Sequence, residues 1–330
     1  MAMGVGRRQF ITALGGATLT WPLVARAQPA GKIAHVGMLY PGVTAVTPTR
    51  IAALRDGLRL VHYDDADRLD IVVHASEGDP AKLPSLAADL VARKVDAIVA
   101  ISPLAVRAAK AATTVIPIVA NDLESDPVST GFVASLARPG GNITGVFSDF
   151  PEFGTKWLEL LKEAIPGLSS VALLWDPATG PTQLEAVQAA GRLLNIKLEV
   201  VEVRAITELQ TAFATAGASK PDAIIILSSP IFGTNPKLIA DLTIEHHVPT
   251  ATLFSEIARA GSLMSYGPNL LGTFQQTGTM LGKVLQGMRP ADLPVERPTK
   301  FEMVVNLKTA KALGISLPTS VLLRADEVIE

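Results

Sequence analysis

Short apolar runs alternate with amphipathic helical segments along most of the chain. Two of these runs, 97–101 and 116–120, are continuous, which is typical of strands buried on both faces of a parallel sheet. An Ala-rich helical segment, 104–114, lies between them, and together they predict a right-handed βαβ unit. Ser102 and Pro103 stand where an N-cap and a first helical residue are expected. Ser102 is therefore predicted at the carboxyl end of a parallel strand, where open α/β sheets hold ligands.

The alternation of strand and helix occurs in two series. The first series runs through 33–122 and the second through 171–253, with an apolar segment at 143–147 between them. Parallel sheets covered by helices on both faces follow from such alternation. The sequence therefore predicts an α/β protein with two doubly wound parallel-sheet lobes and an approximate structural duplication. The remaining segments are less regular and predict a strand at 262–266, a helix at 270–286 and a strand at 300–305.

Composition indicates a well-packed globular protein and excludes several kinds of site. The 330 residues are 48% hydrophobic and 18% charged, which is typical of globular chains. The formal net charge is −2, and no Lys/Arg cluster suggests a nucleic acid partner. The chain has no cysteine, so disulfides, thiolate catalysis and cysteine-ligated metals are excluded.

The first 27 residues have the pattern of an export signal. Arg7-Arg8-Gln9-Phe10 precedes an apolar run over 11–24, and Ala25-Arg26-Ala27 gives a small-x-small cleavage site. Twin arginines of this kind predict a Tat-type signal peptide and a periplasmic mature protein that begins at Gln28. The alternative is an uncleaved membrane anchor, which the shortness of the run and its Thr and Pro residues disfavour.

The sequence carries no catalytic signature. The five histidines lack metal-ligand spacing, and neither a Gly-x-Ser-x-Gly motif nor a phosphate-binding glycine loop is found in the mature region. This pattern favours a binding protein over an enzyme, with no cofactor and no metal ion expected.

Small polar residues recur where predicted strands end. Each of them could be only a turn former or a helix cap. Together, on two facing lobes, they predict a polar cleft in which helix N-termini favour an anionic group. The candidate ligand-binding residues are Tyr40, Ser102, Asp126, Ser148, Asp176, Ser228, Ser229 and Tyr266. Other polar residues at strand ends are Asn121, Asp122 and Asp149.

Several motifs resemble those of the ABC-transporter substrate-binding protein family that includes tryptophan- and tyrosine-type binding proteins. The resemblance extends from Ile33 to the end of the chain. Its motifs are Gly78-Asp79-Pro80-Ala81, 95–99, 115–119, Asp126-Pro127-Val128, Pro139-Gly140-Gly141-Asn142-Ile143-Thr144-Gly145-Val146, 287–296 and 306–310.

This resemblance implies a type I periplasmic-binding fold, in which a small solute binds between two lobes. Lobe one would hold 33–146 and 267–299, and lobe two would hold 147–266 and 300–330. The three chain crossings that form the hinge are expected near Val146, Tyr266 and Lys300.

The resemblance also suggests roles for some candidate residues. Asp126 falls on the family's Asp-Pro aspartate, and Ser102 stands where the family commonly has a threonine. Ser148 follows the Gly-Val turn as in the family. Ser228-Ser229 replaces a frequent Thr-Asp pair, which argues against a zwitterionic amino acid ligand. A ligand ammonium group would then need another acid, for which the candidates are Asp126, Asp149 and Asp176.

These observations predict a monomeric periplasmic solute-binding component of an ABC importer. It would capture a small carboxylate-bearing ligand, aromatic or amino-acid-like, by hinge closure and present it to a membrane permease. Hydroxyls and helix N-terminal amides are expected to hold the carboxylate without a buried arginine. The alternatives are a periplasmic sensor for a signalling receptor and an exported enzyme on the same scaffold. A cytoplasmic repressor of this fold type would need a DNA-binding helix pair where the export signal stands.

Overall fold

The computed structural model describes residues 33–63, 69–148 and 150–330, without the side chains of 150–152. The predicted signal peptide, 1–27, lies outside the described residues, as does Asp149. No helix within the described ranges is long and apolar enough to cross a membrane.

Twelve strands in the described part of the chain form two sheets. The first sheet has the order β2-β1-β3-β4-β5 and is parallel throughout, and the second has the order β12-β11-β10-β9-β8-β6-β7. The order β7-β6-β8-β9-β10 repeats that of the first sheet, as the predicted duplication requires. The strands are β1 (His35–Tyr40), β2 (Asp70–Ala75), β3 (Ala97–Ile101), β4 (Ile118–Asp122), β5 (Ile143–Phe147), β6 (Ser170–Trp175), β7 (Lys197–Glu202), β8 (Ala223–Ile226), β9 (Thr250–Thr252), β10 (Met264–Pro268), β11 (Phe301–Asn306) and β12 (Glu327–Ile329).

Helices connect the strands and cover both sheets, which confirms the predicted α/β class. They are α1 (Thr47–Leu60), α2 (Leu83–Ala92), α3 (Ser102–Ala112), α4 (Phe150–Ala164), α5 (Thr182–Leu194), α6 (Leu209–Ala218), α7 (Pro230–Gly233), α8 (Pro236–Glu245), α9 (Ser255–Ala260), α10 (Leu270–Leu285), α11 (Leu307–Ala312) and α12 (Thr319–Leu322).

The second sheet contains one antiparallel pair, β10 with β11, which the sequence analysis did not anticipate. After Pro268 the chain leaves this sheet, passes through α10 on the first sheet and re-enters at Phe301. Pro268 and Phe301 are paired in register, so the chain returns at the end of β10 from which it left. A strand that re-enters there must run antiparallel, because a parallel strand needs a crossover back to the opposite end.

Two hydrophobic layers cover the first sheet. In β1, Val36, Met38 and Tyr40 belong to the layer under α1 and α10, whereas Leu39 belongs to the layer under α2 and α3. This is the two-residue period of a strand with both faces buried. It places the Tyr40 ring, at the carboxyl end of β1, on the same side of the sheet as α1 and α10.

Close packing of two helices fixes α10 against α1. A Cβ atom on Gly57 would lie 1.8 Å from the carbonyl oxygen of Gln275, and one on Gly278 would lie 2.0 Å from that of Leu54. Only glycine permits such an approach of two backbones. Because α10 follows β10 almost directly, this contact fixes the segment that leaves the second sheet against the helices of the first sheet.

Aromatic packing anchors α4 beside β10 and β11. Trp157 is buried, and its indole Nε1 donates a 2.7 Å hydrogen bond to the carbonyl oxygen of Tyr266. The Phe153 ring lies 6.1 Å from that of Tyr266 and 5.7 Å from that of Phe301. Tyr266 therefore contributes to packing next to the point where the chain leaves the second sheet.

Candidate functional site

A cavity of about 40 Å³ lies between the carboxyl ends of the two sheets. Residues from both sides line it, and they combine aromatic rings with one cation and one acid. From the first sheet and its helices come Tyr40, Arg50, Ile101, Ser102, Asn121, Leu123, Glu124, Leu270 and Phe274, and from the second come Pro230, Gly233 and Phe254.

A buried guanidinium group forms one wall of the cavity. Arg50 lies in the first turn of α1 with 9% of its surface exposed, and it donates a hydrogen bond to the Tyr40 hydroxyl. Its Cζ atom lies 4.8 Å from the Tyr40 ring centre and 5.6 Å from that of Phe274. Burial raises the pKa of Tyr40, although the charge of Arg50 opposes the rise, so the hydroxyl stays neutral. The cavity therefore contains a buried arginine, which was not among the predicted site residues.

Ser102 lines the cavity in a backbone conformation that serine rarely adopts. Its φ angle is +73°, in the left-handed region, and 2% of the residue is exposed. The hydroxyl makes no capping hydrogen bond to α3, and its oxygen has no partner among the described residues. The prediction that Ser102 caps this helix is therefore wrong. A buried, unsatisfied hydroxyl on a strained residue is costly, and such features are concentrated at functional sites.

Asn121 has a structural role at the cavity wall. Its side-chain amide donates to the hydroxyls of Thr273, at 3.2 Å, and Thr277, at 3.1 Å. These bonds attach the carboxyl end of β4 to α10. They also position Phe274, which lies between the two threonines in sequence and lines the cavity.

The loop after β4 turns Glu124 toward the cavity. One carboxylate oxygen of Asp122 accepts from the backbone N–H groups of Glu124, at 2.9 Å, and Ser125, at 3.0 Å. The other accepts from the Ser125 hydroxyl at 2.5 Å. Burial raises the pKa of Asp122 to about 6. Burial also raises the pKa of Glu124, to about 8, and the neighbouring acid Asp122 adds to the rise.

Glu124 forms a hydrogen bond across the cleft. Its Oε1 accepts a 2.7 Å bond from the hydroxyl of Ser228, which follows β8 in the second sheet. The buried side chain of Gln183 holds Ser228 from behind, because its amide accepts from the Ser228 N–H at 2.7 Å and donates to the Ser228 carbonyl at 2.6 Å. The Oε2 atom of Glu124 is buried and accepts no hydrogen bond from the described residues, while a protonated Glu124 carboxyl can hydrogen-bond to the neighbouring carboxylate of Asp122.

Two other polar residues at strand ends of the second sheet, Ser229 and Asp176, are hydrogen-bonded to each other. The Ser229 hydroxyl donates to Asp176 Oδ2 at 2.7 Å and accepts from the N–H of Ile231 at 3.1 Å. Asp176 Oδ1 accepts from the N–H of Ala178 at 2.9 Å, and burial raises the pKa of Asp176. Asp176 lines a second pocket of about 120 Å³ between the sheets, which shares Pro230 with the cavity.

Five of the candidate residues line neither the cavity nor the second pocket, namely Ser228 and Ser229, whose hydrogen bonds are given above, and Asp126, Ser148 and Tyr266. Asp126 is exposed, and its carboxylate accepts from the N–H groups of Val128 and Ser129, both at 2.8 Å, so it caps the turn at Pro127. Ser148 is buried beside the first chain crossing with an unpartnered hydroxyl. Tyr266 packs against α4, as described above.

Neither of the two charged residues that line the cavity, Arg50 and Glu124, was among the predicted site residues. Arg50 lies four residues before Leu54, on the apolar stripe of α1, and a charged residue on a buried stripe is a signal that could have revealed it. Glu124 stands in a polar loop and has no such signal. Among the described residues, no group of three or more acidic or histidine side chains could hold a metal ion.

Comparisons with known proteins identify the family. The family model described as ABC transporter substrate binding protein matches residues 48–329. The chain belongs to this family. Its members are substrate-binding proteins and not enzymes, and the fold is the predicted type I periplasmic-binding fold.

Individual relatives agree with this assignment. The chain is 26% identical over 255 residues to the tyrosine-binding protein of Clostridioides difficile strain R20291, covering 77% of this chain and 73% of that one. A crystal structure of the ABC domain in complex with L-Trp from Streptococcus pneumonia is 28% identical, with a TM-score of 0.82, and the match covers 90% of this chain and 100% of the other. A conserved domain protein from Vibrio cholerae is 25% identical, with a TM-score of 0.83 and the same coverage.

Proposed function

We propose that this protein is the periplasmic solute-binding component of an ABC importer and that it captures an aromatic, carboxylate-bearing ligand between two lobes. The observation that carries the ligand class is the cavity itself, where the buried cation Arg50 lies against the rings of Tyr40 and Phe274 and the Phe254 ring also lines the cavity. Aromatic rings recognise a flat apolar group, and a guanidinium recognises a carboxylate by paired hydrogen bonds.

Arg50 has donors to spare for this role. A guanidinium carries five N–H donors, and the Tyr40 hydroxyl is the one acceptor for Arg50 among the described residues. The unpartnered hydroxyl of Ser102 and the N-terminal amides of α3 add donors at the same cavity. A carboxylate between Arg50 and Ser102 would satisfy groups that the protein alone leaves without partners.

The relatives support an amino-acid-like ligand. One is named a tyrosine-binding protein and another was solved in complex with L-Trp. The three aromatic rings of this cavity fit the side chain of such a ligand. The Ser228-Ser229 pair argued against a zwitterionic ligand, because it lacks an acid for the ligand ammonium group. Glu124 lines the cavity and can supply that acid, whereas Asp126 does not line it.

Access to the cavity requires the lobes to move apart. Ligand pockets are typically about 300–1,000 Å³, whereas this cavity measures about 40 Å³. The Glu124–Ser228 bond spans the cleft, so the structure has the contacts of a closed form. We propose hinge opening about the crossings near Val146, Tyr266 and Lys300, between lobe one (33–146, 267–299) and lobe two (147–266, 300–330).

Native purification followed by mass spectrometry tests the ligand class. The expected result is a bound aromatic acid or amino acid, which calorimetry then confirms on protein stripped by mild unfolding and refolding. Small-angle scattering should show a monomer that compacts when the ligand is restored. A co-purified sugar, or an unchanged radius of gyration at saturation in a protein that is open without ligand, would contradict the proposal.

Export is tested separately. We propose that the 1–27 segment directs Tat-dependent transport to the periplasm, because twin arginines precede its apolar run. Replacing Arg7 and Arg8 with lysine should leave the precursor in the cytoplasm, while the parent protein in the periplasm should begin at Gln28. A periplasmic protein that still begins near Met1 would rule out cleavage, and unchanged export of the double variant would rule out the Tat route.

A further inference from the structure

Glu124 is the one acid among the residues that line the cavity. Glu124 is 5% exposed, its Oε1 accepts from Ser228, and its buried Oε2 accepts no hydrogen bond from the described residues. No lysine, arginine or histidine of the described residues forms an ion pair with it. An ionised carboxylate in this position lacks a compensating charge, and a buried charge of this kind is strongly disfavoured.

We propose that Glu124 determines which ligands the cleft accepts, because the closed cleft requires its carboxyl to be neutralised either by a proton or by an ammonium group of the ligand. This inference rests on the proposed function for the identity of the ligand, but the protonation of the empty cleft does not depend on it. A primary or secondary amine beside the carboxylate of the ligand, as in an amino acid, is the class that the inference selects.

The surroundings of Glu124 oppose its ionisation from several sides. Asp122, in the same loop, and Asp176, from the end of β6, both add negative charge near it. Tyr40, at the end of β1, is neutral and lies within electrostatic range of Glu124. Arg50 is the cation of the cavity, but its hydrogen bond goes to Tyr40. Burial raises the pKa of Glu124 to about 8, and the charge of Asp122 and a side-chain hydrogen bond to that acid add to the rise.

The pKa of Glu124 differs between the open and the closed cleft, and this difference sets the direction of the pH effect. In an open cleft Glu124 faces water, where an ordinary glutamate titrates near 4.3. Closure without an ammonium group must therefore take up a proton at any pH between the open and closed pKa values. Such closure is most favourable at low pH and weakens as the pH rises toward 8. Closure around an ammonium group takes up no proton and is nearly independent of pH in this range.

Two matched probes separate these cases. L-tryptophan carries the ammonium group, and 3-indolepropionate is the same molecule without it. Calorimetry at pH 6.5 and 8.5 spans the titration of Glu124, and Asp122, whose pKa is about 6, is already mostly ionised at the lower of the two pH values. The affinity for 3-indolepropionate should fall by up to about 20-fold over this interval, because Glu124, with a pKa near 8 in the closed cleft, loses its proton. The fall is smaller to the extent that the empty cleft is already closed at pH 6.5. The affinity for L-tryptophan should change less than about threefold.

The variant Glu124→Gln keeps the shape and the Ser228 bond but removes the titration. It should bind 3-indolepropionate equally at both pH values and lose at least about tenfold in its preference for L-tryptophan. Ser228→Ala is the matched control, because it removes the bond across the cleft and keeps the acid. It should bind both probes more weakly while keeping the pH dependence.

Small-angle scattering without ligand provides an independent measurement. The parent protein should have a smaller radius of gyration at pH 6.5 than at pH 8.5, and Glu124→Gln should be compact at both. A parent radius that does not change with pH, or a Glu124→Gln variant that retains the parent's pH dependence and amine preference, would overturn the proposal. If neither probe binds the parent protein while its scattering changes as expected, the proposed ligand class fails and the role of Glu124 stands.

Discussion

The two sides of the cleft have the same strand order but carry different chemistry. On the first-sheet side, polar atoms at the cavity lack protein partners, as with the Ser102 hydroxyl and Glu124 Oε2. On the second-sheet side, Ser229 bonds to Asp176, and Ser228 bonds to Gln183 and across to Glu124. What the second side adds to the cavity lining is Pro230, Gly233 and Phe254. One side thus offers unsatisfied groups for a ligand, and the other contributes a satisfied, largely apolar cover.

If this asymmetry is functional, replacing Arg50 has the largest effect on binding. Arg50→Ala should weaken ligand affinity about 100-fold or more, because truncating one member of a buried charged pair costs about 2–5 kcal/mol. Calorimetry with the co-purified ligand measures this. Arg59→Ala, which removes an exposed arginine of the same helix, should leave affinity unchanged. Similar losses of affinity in the Arg50→Ala and Arg59→Ala variants would show that Arg50 does not bind the ligand carboxylate.

Ser102 should have the next largest effect. Ser102→Ala should weaken binding roughly 10- to 100-fold, because a hydrogen bond to a charged group contributes about 1.5–3 kcal/mol. The free energy of unfolding should not fall, since the hydroxyl has no protein partner to lose. Parent-like affinity would show that the ligand does not reach the N-terminus of α3.

The equivalent hydroxyl on the other side should affect stability more than binding. Ser229→Ala removes the bond to Asp176 and the cap of α7. We expect the free energy of unfolding to fall by about 1–2 kcal/mol, because an N-cap and one buried hydrogen bond are lost. Affinity should change only a few-fold. Denaturant unfolding and calorimetry on the same preparation separate the two effects, and a loss of affinity as large as that of Ser102→Ala would remove the asymmetry.

Asp126 should have the smallest effect on binding. Asp126→Ala removes a cap of two N–H groups in an exposed turn and should lower the free energy of unfolding by about 1 kcal/mol. Affinity should equal that of the parent protein, because the structure does not bring this residue to the cavity. A lower melting temperature with unchanged calorimetry is the expected combination. Reduced affinity would restore Asp126 as a ligand-binding candidate.

The strands and their polar ends could be predicted because they are local signals. A continuous apolar run such as 97–101 is typical of a strand buried in a parallel sheet. The polar residue that follows such a strand then lies at the carboxyl edge of the sheet. Tyr40 and Ser102 were placed at the cavity in this way. Phe274 was not, because its position depends on the crossing of α10 between the two sheets.

The sequence by itself determined the α/β class, the repeated alternation of strands and helices, and the edge at which polar groups gather. Tertiary structure decided which of those groups are available to a ligand. Asp126 and Ser102 both follow buried strands. The Asp126 carboxylate accepts two hydrogen bonds from backbone N–H groups, whereas the Ser102 hydroxyl has no hydrogen-bond partner among the described residues. Likewise, Glu124 has no sequence signal, and its raised pKa comes from its burial in the fold and from the charge of Asp122 beside it. Burial and hydrogen-bond satisfaction depend on residues distant in the chain, and only the fold brings those residues together.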